Sequence, residues 1–150
     1  MSEANFNADL VAALGEIPVI TKDAQNPFFN SKYLTLDAII NTVRPILAKN
    51  RLAMIQNIWA VGDGMACRTT IVHTSGQQLQ SDVLIFPCLQ KDPQKIASLI
   101  TYLKRYQLGA FLGIATDQDD DGNAASKPAP TNKPTPPKSK KSGGDDFVDF

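Results

Sequence analysis

The residues best equipped for chemistry are gathered in one stretch, Thr101–Gly122, which reads TYLKRYQLGAFLGIATDQDDDG. Lys104 and Arg105 are adjacent cations flanked by Tyr102 and Tyr106. Such a pair can grip phosphate oxygens, Arg through a planar fork and Lys as a point charge. An apolar run, Leu108–Ile114, follows, and then the carboxylates Asp117, Asp119, Asp120 and Asp121. Carboxylates in this number could hold two metal ions for nuclease chemistry, but a two-metal site needs them fixed on separate elements and these share one short run. They also match the first half of a calcium loop. Its twelfth position, where a bidentate Glu is required, is Pro128, and no helix pattern follows. No metal and no cofactor is expected. The run reads instead as a boundary that repels a polyanion or meets a basic patch on a neighbouring subunit.

Other catalytic equipment is missing from the pattern. No glycine-rich loop followed by Lys-Ser or Lys-Thr occurs, so ATP-driven work is not expected. His73, the only histidine, stands beside a hairpin turn and reads as a turn residue. Cys67 and Cys88 are too few and too isolated for a disulfide framework or a zinc site, and their apolar surroundings suit small buried hydrophobes. The chain is not expected to be an enzyme.

The formal charge of zero conceals blocks of opposite sign. Residues 1–116 carry ten Lys/Arg and eight Asp/Glu; Asp117–Asp121 adds four negative charges, Lys127–Lys141 five positive, and Asp145–Asp149 three negative. The neutral sum therefore does not exclude a polyanionic partner. Apolar residues, 43% of the chain, recur to Thr116 and then thin out, which suits one core of ordinary size and a tail. No basic region followed by an apolar stretch opens the sequence, and no run has membrane-spanning length. The chain reads as cytosolic, with no membrane partner.

The elements that must position these residues follow from periodicity. Leu10, Val11, Leu14 and Ile17 predict a helix over Asn5–Ile17, capped by Asn5 or Asn7 and ended by Pro18. Asn26–Tyr33, NPFFNSKY, reads as a loop or short extended piece. Leu36, Ile39, Ile40, Val43 and Leu47 predict a second helix over Thr35–Lys49, kinked or broken at Pro45. Alternation then predicts three strands, Ala53–Val61, Met65–His73 and Gln77–Phe86, joined by Gly62-Asp63-Gly64 and Thr74-Ser75-Gly76. Asp92 and Pro93 open a last helix reaching about Leu112. The fold class is α+β: an antiparallel three-stranded β-meander packed on helices.

On that last helix Ile96, Leu99, Ile100, Leu103, Tyr106, Ala110 and Phe111 form a stripe expected to pack on the sheet. The other side, with Ser98, Thr101, Tyr102, Arg105 and Gly109, reads as a small, polar, open face. Leu108 and Leu112 turn towards it, so the last turns need a second cover. That cover is either the N-terminal helix or a second subunit.

The segment resembles the signature of the Erf (essential recombination function) family of phage single-strand DNA annealing proteins. The shared features are Tyr102, Lys104, Arg105, Tyr106, the run Leu108–Ile114 and the stop Asp117–Gly122. Family members often read Tyr-Ala-Arg-Arg-Tyr where this chain has Leu103-Lys104. The likeness extends upstream through Lys32-Tyr33, the helix over Leu34–Lys49 and the turn His73–Gly76, covering about residues 26–122. It implies a β-β-β-α annealase core assembling into rings or filaments, with single-stranded DNA in a basic groove paired without ATP inside the host bacterial cell.

Within that frame the candidate phosphate contacts are Lys32, Arg44, Arg51, Arg68, Lys95, Lys104 and Arg105, and Tyr33, Phe28, Phe29 or Trp59 could stack on bases. Arg68 stands out because a mid-strand guanidinium between Ala66 and Thr70 needs a reason. Residues 1–116 form the expected core, 117–144 an acidic stop and Pro/Lys-rich disordered linker, and 145–150 a tip. The tip alternates Asp145, Asp146, Phe147, Asp149 and Phe150, and resembles that of bacterial single-stranded-DNA-binding proteins. It would dock on a replication or recombination protein of host or phage, solubilise the chain, or compete for the DNA groove. Two rivals remain: an OB-fold single-stranded-DNA-binding protein, and an accessory interaction protein without DNA affinity.

Overall fold

Side-chain caps decide where the helices begin. Asn5 Oδ1 accepts from the N–H groups of Asn7 and Ala8 at the start of α1, Phe6–Glu16. Thr35 Oγ1 accepts from Ala38 N at the start of α2, Leu36–Lys49. Asp92 Oδ1 accepts from Gln94 N at the start of α3, Pro93–Leu112, with Pro93 in the first turn. Each cap satisfies a donor that the first helical turn leaves orphaned. α2 runs on through Pro45 instead of breaking there. Pro45 and Asn41 are both exposed, so the carbonyl that loses its helical donor faces water.

The computed structural model describes residues 5–28, 30–89 and 91–117, all within one unit, Met1–Asp119. Two long strands form its centre. β3 (Leu52–Val61) and β4 (Gly64–His73) pair antiparallel over their full length, from Leu52–His73 to Val61–Gly64. The two-residue turn Gly62-Asp63 closes them, with Gly62 at a φ of 52°, a conformation that glycine adopts without steric cost.

The expected third strand is split. β5 (Gln78–Gln80) and β6 (Leu84–Pro87) both pair with β4. Between the pair Thr70–Gln80 and the pair Cys67–Leu84, Arg68 and Thr69 of β4 face three residues, Ser81–Val83. This extra residue is a bulge. Ser81 Oγ accepts from Thr69 N at 3.0 Å, and Gln107 Nε2 of α3 donates to Ser81 Oγ and to the Asp82 carbonyl at 2.8 and 2.7 Å. The meander therefore becomes a four-stranded antiparallel sheet. A separate two-stranded ribbon pairs β1 (Ala24–Gln25) with β2 (Lys32–Tyr33), so Asn26–Tyr33 is a loop that ends in a short extended piece. The described residues form an open sheet with helices, not a closed five-stranded barrel.

Both long helices pack on one sheet face. Leu52, Ile71, Ile39, Val43, Leu47 and Leu34 meet there with Phe6 and Ala13 of α1 and with Leu108 and Leu112 of α3. The cover for the last turns of α3 is thus supplied by the chain's own elements. The expected stripe on α3 is shifted: Leu103, Gln107 and Leu108 are buried, Ile96, Leu99 and Ile100 are only half-buried, and Ala110 is exposed. The bulge draws Gln107 inward by offering it two acceptors. Cys67 lies on this inner face, where burial raises its thiol pKa.

α1 is fastened by one carboxylate. Asp9 accepts from Arg51 Nε and Nη2 at 2.8 and 2.6 Å and meets His73 Nε2 at 2.8 Å. The Arg51 guanidinium, and after it His73, hold the Asp9 carboxyl below its ordinary value. Arg51 itself sits at a φ of 61° just past α2. Among the described residues no helix is long and apolar enough to cross a membrane.

Candidate functional site

Arg105 is buried, 8% exposed, and not on an open face as expected. Its guanidinium carbon lies 4.5 Å from the Tyr33 ring centroid, 4.7 Å from Tyr106 and 5.6 Å from Tyr102. Tyr102 and Tyr106 come from one turn of α3, their centroids 4.3 Å apart, and Tyr33 comes from β2. Nη1 donates to the Leu34 carbonyl at 3.2 Å and reaches Asp117 Oδ1 at 3.5 Å. The ion pair is at the long end of hydrogen-bond range, so the ring faces and the carbonyl are the closer partners. A guanidinium is suited to such a place because it is weakly hydrated and stacks.

The apolar run after the tyrosines explains how Asp117 arrives there. Gly113 ends α3 in the left-handed region at a φ of 69°, and Ile114 N donates back to Gly109 O at 2.8 Å. The chain reverses and crosses the helix over Gly109, where a Cβ would run into Thr116 Cγ2 and stand 3.0 Å from Ile114 O. The returning strand pairs antiparallel with β2: Leu34 N donates to Thr116 O at 2.7 Å, and Tyr33 bridges to Asp117. Asp117 Oδ2 accepts from Thr116 Oγ1 at 2.8 Å. Burial, then hydrogen bonds to Tyr102 and Asp117, push the Tyr106 phenol far above its ordinary pKa. Arg105, Gly109, Gly113 and Asp117 thus make one closed loop-back. The face expected to be open is covered by β2 and by residues 114–117.

The other candidate residues do not converge on this cluster. Arg51 is engaged with Asp9. Lys104 is half-buried, and its carbonyl accepts from Gln56 Nε2 at 3.0 Å. Lys32 on β2, Arg44 on α2 and Lys95 in the first turns of α3 are exposed. Arg68 lies on the opposite sheet face, together with Trp59. Phe28 is almost fully exposed. Phe29, Asp119–Asp121 and the tip residues Asp145, Asp146, Phe147, Asp149 and Phe150 lie outside the described residues. Among those described, no group of three His, Cys, Asp or Glu side chains could hold a metal ion.

Two structural partners of Arg105 escaped sequence reasoning. Asp117 is the carboxylate of Arg105, and Gly109 is the gap that lets it return. The signal was present as two glycines four residues apart between a buried cation and an acid. Gln107 had no signal, since its acceptors exist only because of the bulge.

Comparison with known proteins adds one finding. No curated protein and no solved structure matches the chain. The model of the ERF superfamily matches residues 6–146, from the start of α1 past the acidic run into the tail. Its span takes in the three helices and two sheets of the described residues and the Arg105 loop-back, and on that match the chain belongs to the ERF superfamily.

Proposed function

We propose that this chain binds single-stranded DNA and pairs complementary strands without ATP, as a homo-oligomer serving phage homologous recombination in the host cytoplasm. The observation that carries this reading is the family match over residues 6–146. The architecture agrees with it: helices of 11, 14 and 20 residues take up well over a fifth of the 150-residue chain and cover one face of an open sheet. An OB barrel would need five strands and little helix. No catalytic centre is part of the proposal.

Arg68 is the phosphate contact proposed on the open sheet face, Lys32, Arg44, Lys95 and Lys104 are proposed contacts for DNA that continues beyond that face, and Arg105 is assigned a positioning role because its nearest partners are internal. The acidic tip is proposed to dock on a replication or recombination protein. The test is to mix complementary oligonucleotides with the full chain in the absence of ATP. Faster pairing is the expected outcome; if the protein binds single strands but does not speed pairing, the annealing claim fails. Absence of binding to single strands even at low salt would leave only an accessory interaction protein.

A further inference from the structure

Among the described residues, no long helix covers the second face of the sheet. Its outward positions alternate with the core positions along β3 and β4, and Ile55, Trp59, Val61 and, on β6, Ile85 stay 38–53% exposed there. Ala66 is fully buried between its cross-strand neighbours Trp59 and Ile85, so those two side chains lie over it. One row along β4 is Arg68, paired across from Asn57. Among the described residues its Nε is shielded from water without an acceptor, and its Nη1 has a long contact, 3.4 Å, to Gln80 Oε1.

We propose that this outer face is the platform on which single-stranded nucleic acid lies, with a base stacked on Trp59 beside Ile85 and a backbone phosphate on the Arg68 fork. The inference rests on the reading of the chain as a single-strand binder and gives that reading a surface. Charge decides between occupants. The outward strand positions hold no carboxylate; Asp63 and Asp82 sit in the turn and in the bulge. A second copy docked face to face would bury two Arg68 side chains with no counter-charge, an arrangement that desolvation penalises. A polyanion with flat apolar bases answers both the unpaired guanidinium and the apolar row, because stacking on an aromatic ring is indifferent to base identity. The bulge beside Arg68 splits the pairing there and breaks the regular edge of the sheet.

Trp59 is the only tryptophan, so its emission reports on this face directly. The full chain is titrated with a labelled oligo(dT) of about 16 nucleotides, the upper size for one binding module, and anisotropy and Trp59 emission are read together. Saturable quenching in step with binding is expected. Arg68→Ala should weaken binding about tenfold and make its salt dependence shallower by about one unit of slope. Ile85→Glu places a charge at a half-exposed position and should weaken binding about tenfold or more at a temperature where its melting curve shows the variant still fully folded. A duplex of equal length, with its bases already stacked, should not quench. If oligo(dT) binds but Trp59 emission and both variants' affinities stay at wild-type values, the platform is wrong and single-strand binding stands. If the wild-type chain does not bind oligo(dT) at all, the binding reading falls and the platform with it. Equal quenching by duplex, or quenching on raising protein concentration alone with a smaller sedimenting species in Ile85→Glu, would also overturn it, the latter assigning the face to a second copy.

Discussion

Arg105 on α3 and Arg68 on β4 stand on opposite sides of one sheet, and their surroundings could hardly differ more. Arg105 is enclosed by three tyrosine rings, a backbone carbonyl and a carboxylate, all brought to it by a chain reversal. Arg68 sits in a central strand with a long contact to an amide and a shielded Nε that has no acceptor among the described residues. The same side chain is a structural rivet in one place and an unanswered cation in the other. A guanidinium whose forks and faces are engaged internally stabilises the fold, whereas one left with unanswered N–H donors on an acid-free surface is available to a ligand.

Removing each arginine should separate the two cases. Arg105→Ala is expected to cost about 3 kcal/mol in urea denaturation, since it leaves a buried acceptor and strips the rings of their cation. Arg105→Lys should recover only part of that loss, because an ammonium cannot lie flat between rings. Wild-type stability in Arg105→Ala would break the comparison at its stronger end. Gly109→Ala drives a Cβ into Thr116 Cγ2 and crowds Ile114 O; the returning segment must shift, at about 2 kcal/mol by overpacking. If the loop-back is what holds Asp117, this variant should also lower the Tyr106 phenol pKa in an ultraviolet titration. Tyr106→Phe removes the hydroxyl that meets Asp117 and should cost about 1 kcal/mol. Arg68→Ala should stay within about 0.5 kcal/mol of wild type in the same denaturation series. A loss as large as that of Arg105→Ala would make Arg68 another structural rivet.

A third arginine, Arg51, lies between these extremes, since its own side chain is half exposed while its partner Asp9 is largely shielded. The Asp9 carboxyl is lowered in the folded state from a reference value of 3.8. The stability it contributes is therefore complete above that value and drains away as the pH falls through the depressed folded value. Melting curves taken downward from pH 6 should show the wild-type chain losing stability below about pH 4. Asp9→Asn should begin lower and lose less over the same window. A parallel decline in both proteins would show that the α1 clamp has no titrating carboxylate at its centre.

Much of the scaffold is legible in the residues and their spacing. Asn5, one of two caps the spacing offers, and Asp92 mark helix starts because short oxygen-bearing side chains satisfy the first free N–H groups, while Thr35, placed inside its helix by the spacing, is a cap of the same kind. Alternation over residues 52–73 finds β3 and β4, and the Gly62-Asp63 turn links them. What escapes is local and has a cause in each instance. One extra residue at Ser81–Val83 splits a strand without disturbing its alternation enough to be seen. Pro45 does not break α2 because it leaves only the carbonyl of exposed Asn41 without a helical donor, where water can reach it. Tyr33, Lys104 and Arg105 are visible as a group of residue types, but their exposure is not.

Sequence by itself determined which residues could do chemistry, the order and type of the elements, and the family. All of these depend on local spacing: caps, periods of alternation and the run from Tyr102 to Asp117. Only the tertiary structure decided which arginine faces outward. A helical wheel gives Arg105 a direction relative to its own axis, whereas burial depends on what returns over that face. Here the returning residues are 114–117, admitted by the missing Cβ of Gly109 and paired to β2 from far earlier in the chain. Conversely Arg68 is left open because both long helices pack on the other side of the sheet, where their apolar stripes are buried together with Leu52 and Ile71.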